Sequence, residues 1–188
     1  MGAAIGKFLL SALLLANVAG DAGAAGKIVG IESFDTPAWF KDSFLDINED
    51  AAEAALAGRH LLVFFHLEDC PYCAKMLADS FAAQTDNYDF IRAHFEAVEI
   101  NIRGSREVSW HGKTMTEKAY ARQVGVQYTP TLLFLDAVGK TILSVHGYRS
   151  PPALREALAY IQSGAYKKMP LVEYHEQSAF VYRFRTDP

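Results

Sequence analysis

The sequence predicts an α/β domain built on a central sheet with helices on both faces. Three observations carry this expectation. Two continuous apolar runs, Leu61-Leu62-Val63-Phe64-Phe65-His66 and Thr131-Leu132-Leu133-Phe134-Leu135, read as strands buried on both sides. Segments of helical composition alternate with strands, the order expected of a covered sheet. The two cysteines of the chain, in Cys70-Pro71-Tyr72-Cys73, fall where the first strand gives way to a helix.

The elements follow in order. Residues 33–46 read as a short helix or ordered loop, with Trp39 and Phe44 as packing residues. Residues 48–59 read as a helix, with Asn48 as N-cap and Gly58 as its stop. After the strand 61–66 and the cysteines, residues 74–83 read as a helix and 88–94 as a second, short one. Residues 95–102 alternate like a strand. Residues 103–114 are polar, with Gly104 and Gly112 as turn signals. Within them Trp110-His111-Gly112 reads as a turn, the alternative being a wall of a substrate groove. Residues 117–123 are helical in composition. The strand 131–135 turns at 137–140 and pairs back through 141–146 as a hairpin, where His146 reads as a hydrogen-bonded structural histidine. Residues 152–162 form a helix entered through Ser150 and Pro151, with Gly164 past its end. Tyr148 and Tyr166 are expected to pack on this helix. After Lys168 the pattern stops; Phe180-Val181-Tyr182-Arg183-Phe184-Arg185 alternates like a strand without a place in the sheet.

At 188 residues, 51% of them hydrophobic, the chain suits one domain with extensions. Its formal net charge of −4 argues against a nucleic-acid binder, and Arg183 and Arg185 are too few to reverse this. Lys7 precedes the apolar run 8–16, and Ala22-Gly23-Ala24 supplies a small-residue cleavage site, so residues 1–24 read as a secretory signal peptide. The alternative is an uncleaved membrane anchor, for which the run is short. The expected organisation is signal peptide 1–24, N-terminal extension 25–46, folded domain 47–168 and C-terminal tail 169–188. An exported protein with this cysteine usage fits the bacterial periplasm, where disulfide chemistry is permitted.

A C-x-x-C pair at a helix start closes into a small disulfide ring and reopens, with the first thiol favoured as a thiolate by the helix N-terminus. Cys70 is therefore the candidate nucleophile and Cys73 the candidate resolving cysteine. Two other readings stand beside this one. A permanent disulfide closing so short a loop gains little entropy. Half a zinc site lacks its other ligands, since zinc takes about four, no second C-x-x-C exists, and the six histidines show no ligand spacing beside the pair. No metal and no cofactor beyond the Cys70-Cys73 disulfide is expected.

Leu62-Val63-Phe64-Phe65 before Cys70-Pro71-Tyr72-Cys73, with Tyr128-Thr129-Pro130-Thr131 before Leu132-Leu133-Phe134, resembles the thioredoxin superfamily. Adding Glu117-Lys118-Ala119-Tyr120-Ala121, Gly147-Tyr148 and Gly164-Ala165-Tyr166-Lys167, the chain looks closest to the periplasmic SoxW-type thioredoxins. The resemblance implies a thioredoxin fold, a central mixed sheet flanked by helices, over 47–168. It implies a cis peptide between Thr129 and Pro130 facing the cysteines. The backbone of Thr129 is then left open to pair with an extended substrate. Thr129, Pro130 and Tyr72 are thus expected to bind substrate.

By this resemblance Cys70 attacks a substrate disulfide and Cys73 resolves the mixed disulfide. Two departures matter. Asp69 stands where tryptophan is usual, and Phe64 stands where a buried acid usually accepts the proton of the resolving cysteine. Glu68 or His66 could take over proton transfer, each having the plainer reading of a solvated or packed residue. Glu68 and Asp69 oppose thiolate formation at Cys70. The expected activity is a monomeric periplasmic protein-disulfide reductase acting on partner proteins with a disulfide or oxidised cysteine. It would be recharged by a membrane thiol-disulfide electron donor, with no nucleic acid involved. The alternatives are a disulfide oxidase or isomerase, and a non-catalytic binding module of the same fold.

Overall fold

In a computed structural model the chain is described for residues 1–2 and 35–185, with side chains through residue 178. The expected signal peptide lies outside the described residues. All elements below belong to the unit Ile31–Pro188.

The sheet has the order β2-β1-β5-β6, from β1 (His60–His66), β2 (Phe95–Asn101), β5 (Thr131–Leu135) and β6 (Thr141–His146). β1 pairs parallel with β2 and antiparallel with β5, and β5 pairs antiparallel with β6, so the sheet is mixed. Alternation along β1 divides two cores. Leu62 and Phe64 face one core, which holds Met76, Phe81, Ile91, Leu154, Leu158 and Ile161. Leu61, Val63 and Phe65 face the other, which holds Ile47, Ala51, Ala54, Tyr120 and Ala121. The first layer consists of α2 (Pro71–Met76), α3 (Tyr88–His94) and α5 (Pro151–Gln162). The second consists of α1 (Ile47–Leu56) and α4 (Glu117–Gln123). Burial on both faces is why β1 and β5 carry no polar alternation.

Several local expectations are corrected. The N-cap of α1 is Asp46, not Asn48: its carboxylate accepts the N–H groups of Asn48 (3.1 Å) and Glu49 (3.0 Å). Asn48 instead ties two turns together, donating to the Val138 carbonyl (2.9 Å) and accepting the His111 N–H (2.6 Å). The helix after the cysteines begins at Pro71 rather than at 74, and a single π-helical turn, Leu77–Phe81, continues it. Residues 35–46 run as a loop, in which Trp39 stacks on Phe81 and donates to its carbonyl (3.2 Å). Phe44 is fully exposed, not packed.

Residues 103–114 are more than a polar stretch. Strands β3 (Glu107–Trp110) and β4 (Lys113–Thr116) form a separate antiparallel hairpin. Its loop is His111-Gly112, both at positive φ (49° and 72°), the mirror-image turn that suits a two-residue connection. Trp110 packs edge-on against Tyr120 and donates to the Gly139 carbonyl (3.3 Å), which makes it structural. The tail does not alternate as a strand: Leu171–Arg185 is a helix, α6. It returns onto α5 through the Tyr160–Tyr174 ring contact and through Glu156, which accepts from His175 (2.7 Å). Tyr148 packs against the core that α5 lines and donates its hydroxyl to Asp79 (2.5 Å) in the π-helical turn.

The side chain that organises the hairpin was not singled out by the sequence. Glu117, 2% exposed, accepts the N–H groups of Asn101 (2.9 Å) and Arg106 (3.1 Å) and pairs with the Arg106 guanidinium (2.7 Å). Gly104 is required beside it, because a Cβ there would lie 1.9 Å from a Glu117 carboxylate oxygen. Arg106 also pairs with Glu99 (2.8 Å), which is bonded on its other oxygen to His66.

Two outcomes follow for stability. Glu117→Ala strands two backbone donors and is expected to cost about 2–4 kcal/mol; a urea-unfolding loss below about 1 kcal/mol would refute this role for the carboxylate. Glu99 is held below the ordinary carboxylate value of 4.5, first by its hydrogen bond to His66 and then by Arg106, against the opposing effect of burial. A depressed acid contributes stability above its unfolded value and loses it as pH falls through the folded one. Wild-type stability relative to Glu99→Gln should therefore be constant above pH 5 or so and shrink progressively from there downward. Parallel urea midpoints through this acid range would contradict the pairing.

Candidate active site

Cys70 is the N-cap of α2, in extended backbone at the end of the loop that leaves β1. Pro71 occupies the first helical position, where a missing N–H costs nothing. The short first turn brings Cys73 back beneath Cys70, and the two form a disulfide (S–S 2.00 Å, Cα–Cα 5.2 Å). Cys73 is wholly buried, whereas Cys70 keeps 6% exposure. Of the pair, Cys70 is the residue that reaches the surface.

Two donors converge on Cys70 Sγ. The Cys73 N–H lies 3.1 Å away and the Thr129 hydroxyl 3.3 Å away. The Cys73 N–H is shared with the Cys70 carbonyl (3.0 Å), which also accepts the Ala74 N–H (3.1 Å). Donors to a sulfur favour its ionised form once the disulfide is opened. The hydroxyl contribution of Thr129 was missed at the sequence level, where only its backbone was weighed. Its signal was a hydroxylated residue directly before the proline.

Thr129-Pro130 is a cis peptide. The turn is held from behind: the Thr131 hydroxyl donates to the Tyr128 carbonyl (2.8 Å), and the Pro130 carbonyl accepts from Gly147 N–H (2.8 Å). Among the described residues no backbone hydrogen bond uses the N–H or carbonyl of Thr129. Tyr72 and Tyr128 are the exposed aromatics of this region, at 62% and 69%. The Tyr72 ring rests near that of Tyr148 (6.4 Å), which is steadied by Asp79 and covered by Lys75 (5.1 Å).

The structure separates the two candidates for proton transfer. Glu68 is exposed and makes no hydrogen bond among the described residues. His66 is buried on the same face of β1 as Phe64, with the two rings stacked (6.3 Å), and its Nε2 is bonded to Glu99. Phe64, at the position usually acidic, is fully buried among aromatic rings. Among the described residues no three His, Cys, Asp or Glu side chains gather as a metal site requires, and no helix is long and apolar enough to cross a membrane.

A thioredoxin fold that carries a Cys-x-x-Cys disulfide points to thiol-disulfide oxidoreductase chemistry. Among solved structures the chain is similar to a thioredoxin-fold protein from Helicobacter pylori. The two share 24% identity with a TM-score of 0.63, over 81% of this chain and 96% of that one. It is also similar to a thioredoxin from Thermus thermophilus (23% identity, TM-score 0.47, 62% of this chain and 84% of that one). A third is a DsbH oxidoreductase (17% identity, TM-score 0.49, 71% and 89%). Nothing among curated proteins matches the chain. The family model described as a thioredoxin-like domain matches residues 47–162. The chain therefore belongs to the thioredoxin-like domain family.

Proposed function

We propose that this protein is a periplasmic thiol-disulfide oxidoreductase that reduces disulfides or oxidised cysteines of partner proteins. The observation that carries the reading is the Cys70–Cys73 disulfide, with Cys70 the residue that reaches the surface and Thr129 beside it. In the reduced protein the Cys70 thiolate attacks one sulfur of a substrate disulfide. A mixed disulfide forms and the other substrate sulfur leaves as a thiolate, which takes up a proton. Cys73 then loses its proton and attacks Cys70 Sγ, expelling the second substrate thiol and restoring the Cys70–Cys73 bond. Two electrons pass to the substrate, and a membrane thiol-disulfide donor returns them. The open backbone of Thr129, with Pro130 and Tyr72, holds the extended substrate across the sulfurs.

The acceptor for the Cys73 proton is not the usual one, since Phe64 cannot take a proton. His66, buried on that face and joined to the partly exposed Glu99, supplies a route to solvent; Glu68 serves only through water. The periplasmic location rests on the apolar run behind Lys7 and the Ala22-Gly23-Ala24 site. The SoxW-type resemblance gives a sulfur-oxidation protein with a reactive cysteine as the partner class.

One observation favours a second reading. Two donors on Cys70 Sγ stabilise the reduced enzyme, which raises the potential and favours oxidation of substrates. Equilibration with glutathione separates the two: a potential near about −270 mV supports the reductase, and one near about −120 mV the oxidase. Turnover itself is tested by insulin reduction with dithiothreitol. Wild type should accelerate precipitation and Cys70→Ser should fall to the uncatalysed rate; separately, reduced Cys73→Ser mixed with a partner disulfide without dithiothreitol and acid-quenched should accumulate a covalent adduct on non-reducing gels. Equal rates for wild type and Cys70→Ser would leave the fold as a binding module only.

A further inference from the structure

A second surface lies at the same end of the sheet as the disulfide. β1 and β2 are parallel, so Ile102, just past β2, sits beside the end of β1 and donates its N–H to the His66 carbonyl (3.0 Å). A depression of about 470 Å3 opens there, floored by Ile102, Ala121 and Val126. Its rim carries Arg103, Lys118 and Arg122. Lys118 and Arg122 are one turn apart on the outer side of α4, opposite Glu117, Tyr120 and Ala121, which point inward. The Lys118 N–H bonds the Gly104 carbonyl (3.2 Å), which brings Arg103 to the same rim.

All three cations are exposed, and among the described residues none has an ion pair or a side-chain hydrogen bond. This uncompensated positive rim stands on a chain of net charge −4. Gln127 also lines the depression, two residues before Thr129. The segment 127–130 therefore runs directly from the basic rim to the sulfur of Cys70. The exposed acids Glu68 and Asp69 directly precede Cys70 in the chain.

We propose that this depression docks an acidic segment of the protein substrate, displaced along the partner chain from the reacting sulfur. The inference rests on the oxidoreductase reading and gives it a substrate class. The acids at Glu68 and Asp69 disfavour partner carboxylates over the disulfide itself, while the rim attracts them a few residues away. Three cations on a small apolar floor suit a short acidic peptide better than a nucleic acid, which needs a longer basic track.

The test uses two disulfide-bearing peptides, uncharged around the disulfide, one extended by a run of glutamates and the other by a run of lysines. Wild type should show kcat/KM on the order of tenfold higher for the glutamate peptide at low salt, with the preference fading as salt is added. Arg103→Glu combined with Lys118→Glu and Arg122→Glu should reverse the preference and leave reduction of uncharged hydroxyethyl disulfide unchanged. Equal turnover of the two peptides by wild type, or a preference that survives the triple substitution, overturns the proposal. If wild type reduces none of these disulfides, the reductase reading fails by itself. Fluorescence anisotropy of the labelled glutamate peptide then decides the surface: binding lost in the triple variant upholds it, and unchanged binding overturns it. An oligonucleotide bound more tightly than the glutamate peptide would also overturn it.

Discussion

Strand β1 is packed from both sides, and the placement of the site depends on that. Leu61 to Phe65 are each fully buried, and the pleat sends them alternately into two separate cores. A strand in this position cannot slip by one residue without exchanging its whole contact set. It also pairs on both edges, with β2 and with β5. The end of β1 is consequently a fixed point, and the chain leaving it delivers Cys70 to the start of α2. Because β5 runs antiparallel to β1, its beginning lies at the same end, and Thr129-Pro130 arrives there from the other direction. The meeting of Thr129 with Cys70 Sγ is thus a product of sheet topology more than of any local motif.

The electrostatics around that meeting point are mixed in sign. The Cys73 N–H and the Thr129 hydroxyl favour a thiolate at Cys70, and the exposed Glu68 and Asp69 oppose it. The exposed acids act through solvent and are screened, whereas the two donors touch the sulfur directly. The direct donors should dominate. Phe64 contributes packing where a proton acceptor is usual, so His66 and Glu99 are left as the ionisable pair on that face of β1.

Much of this was legible in the sequence, because the strongest signals were those of burial. The apolar runs placed β1 and β5, and helices α3 and α4 were bounded from composition alone. What escaped depended on contacts between distant residues. Asp46 and Asn48 are both acceptable N-caps by type, and the choice was made by the turns at His111 and Val138 that claim Asn48. The hairpin at 107–116 hides in polar residues because its outer face is solvated and Glu117 fastens it from a neighbouring helix. The alternation of 180–185 resembled a strand, yet these residues continue a helix begun at Leu171, where Tyr174 and His175 fix its docking on α5. In the site, the cysteines and the proline were visible as a motif. The Thr129 hydroxyl and the Glu99 partner of His66 were not, since each faces a residue far away in sequence.

The central claim is that Cys70, held by donors from Cys73 and Thr129, is the attacking sulfur. The most direct measurement is the pH dependence of iodoacetamide alkylation of the fully reduced protein, with the modified residue located by mass spectrometry. Cys70 should be alkylated first, with a midpoint below the value of about 8.5 for an ordinary thiol, and Thr129→Val should move that midpoint upward by roughly one unit. Alkylation of Cys73 first, or of both cysteines at equal rates with an ordinary midpoint, would contradict the account.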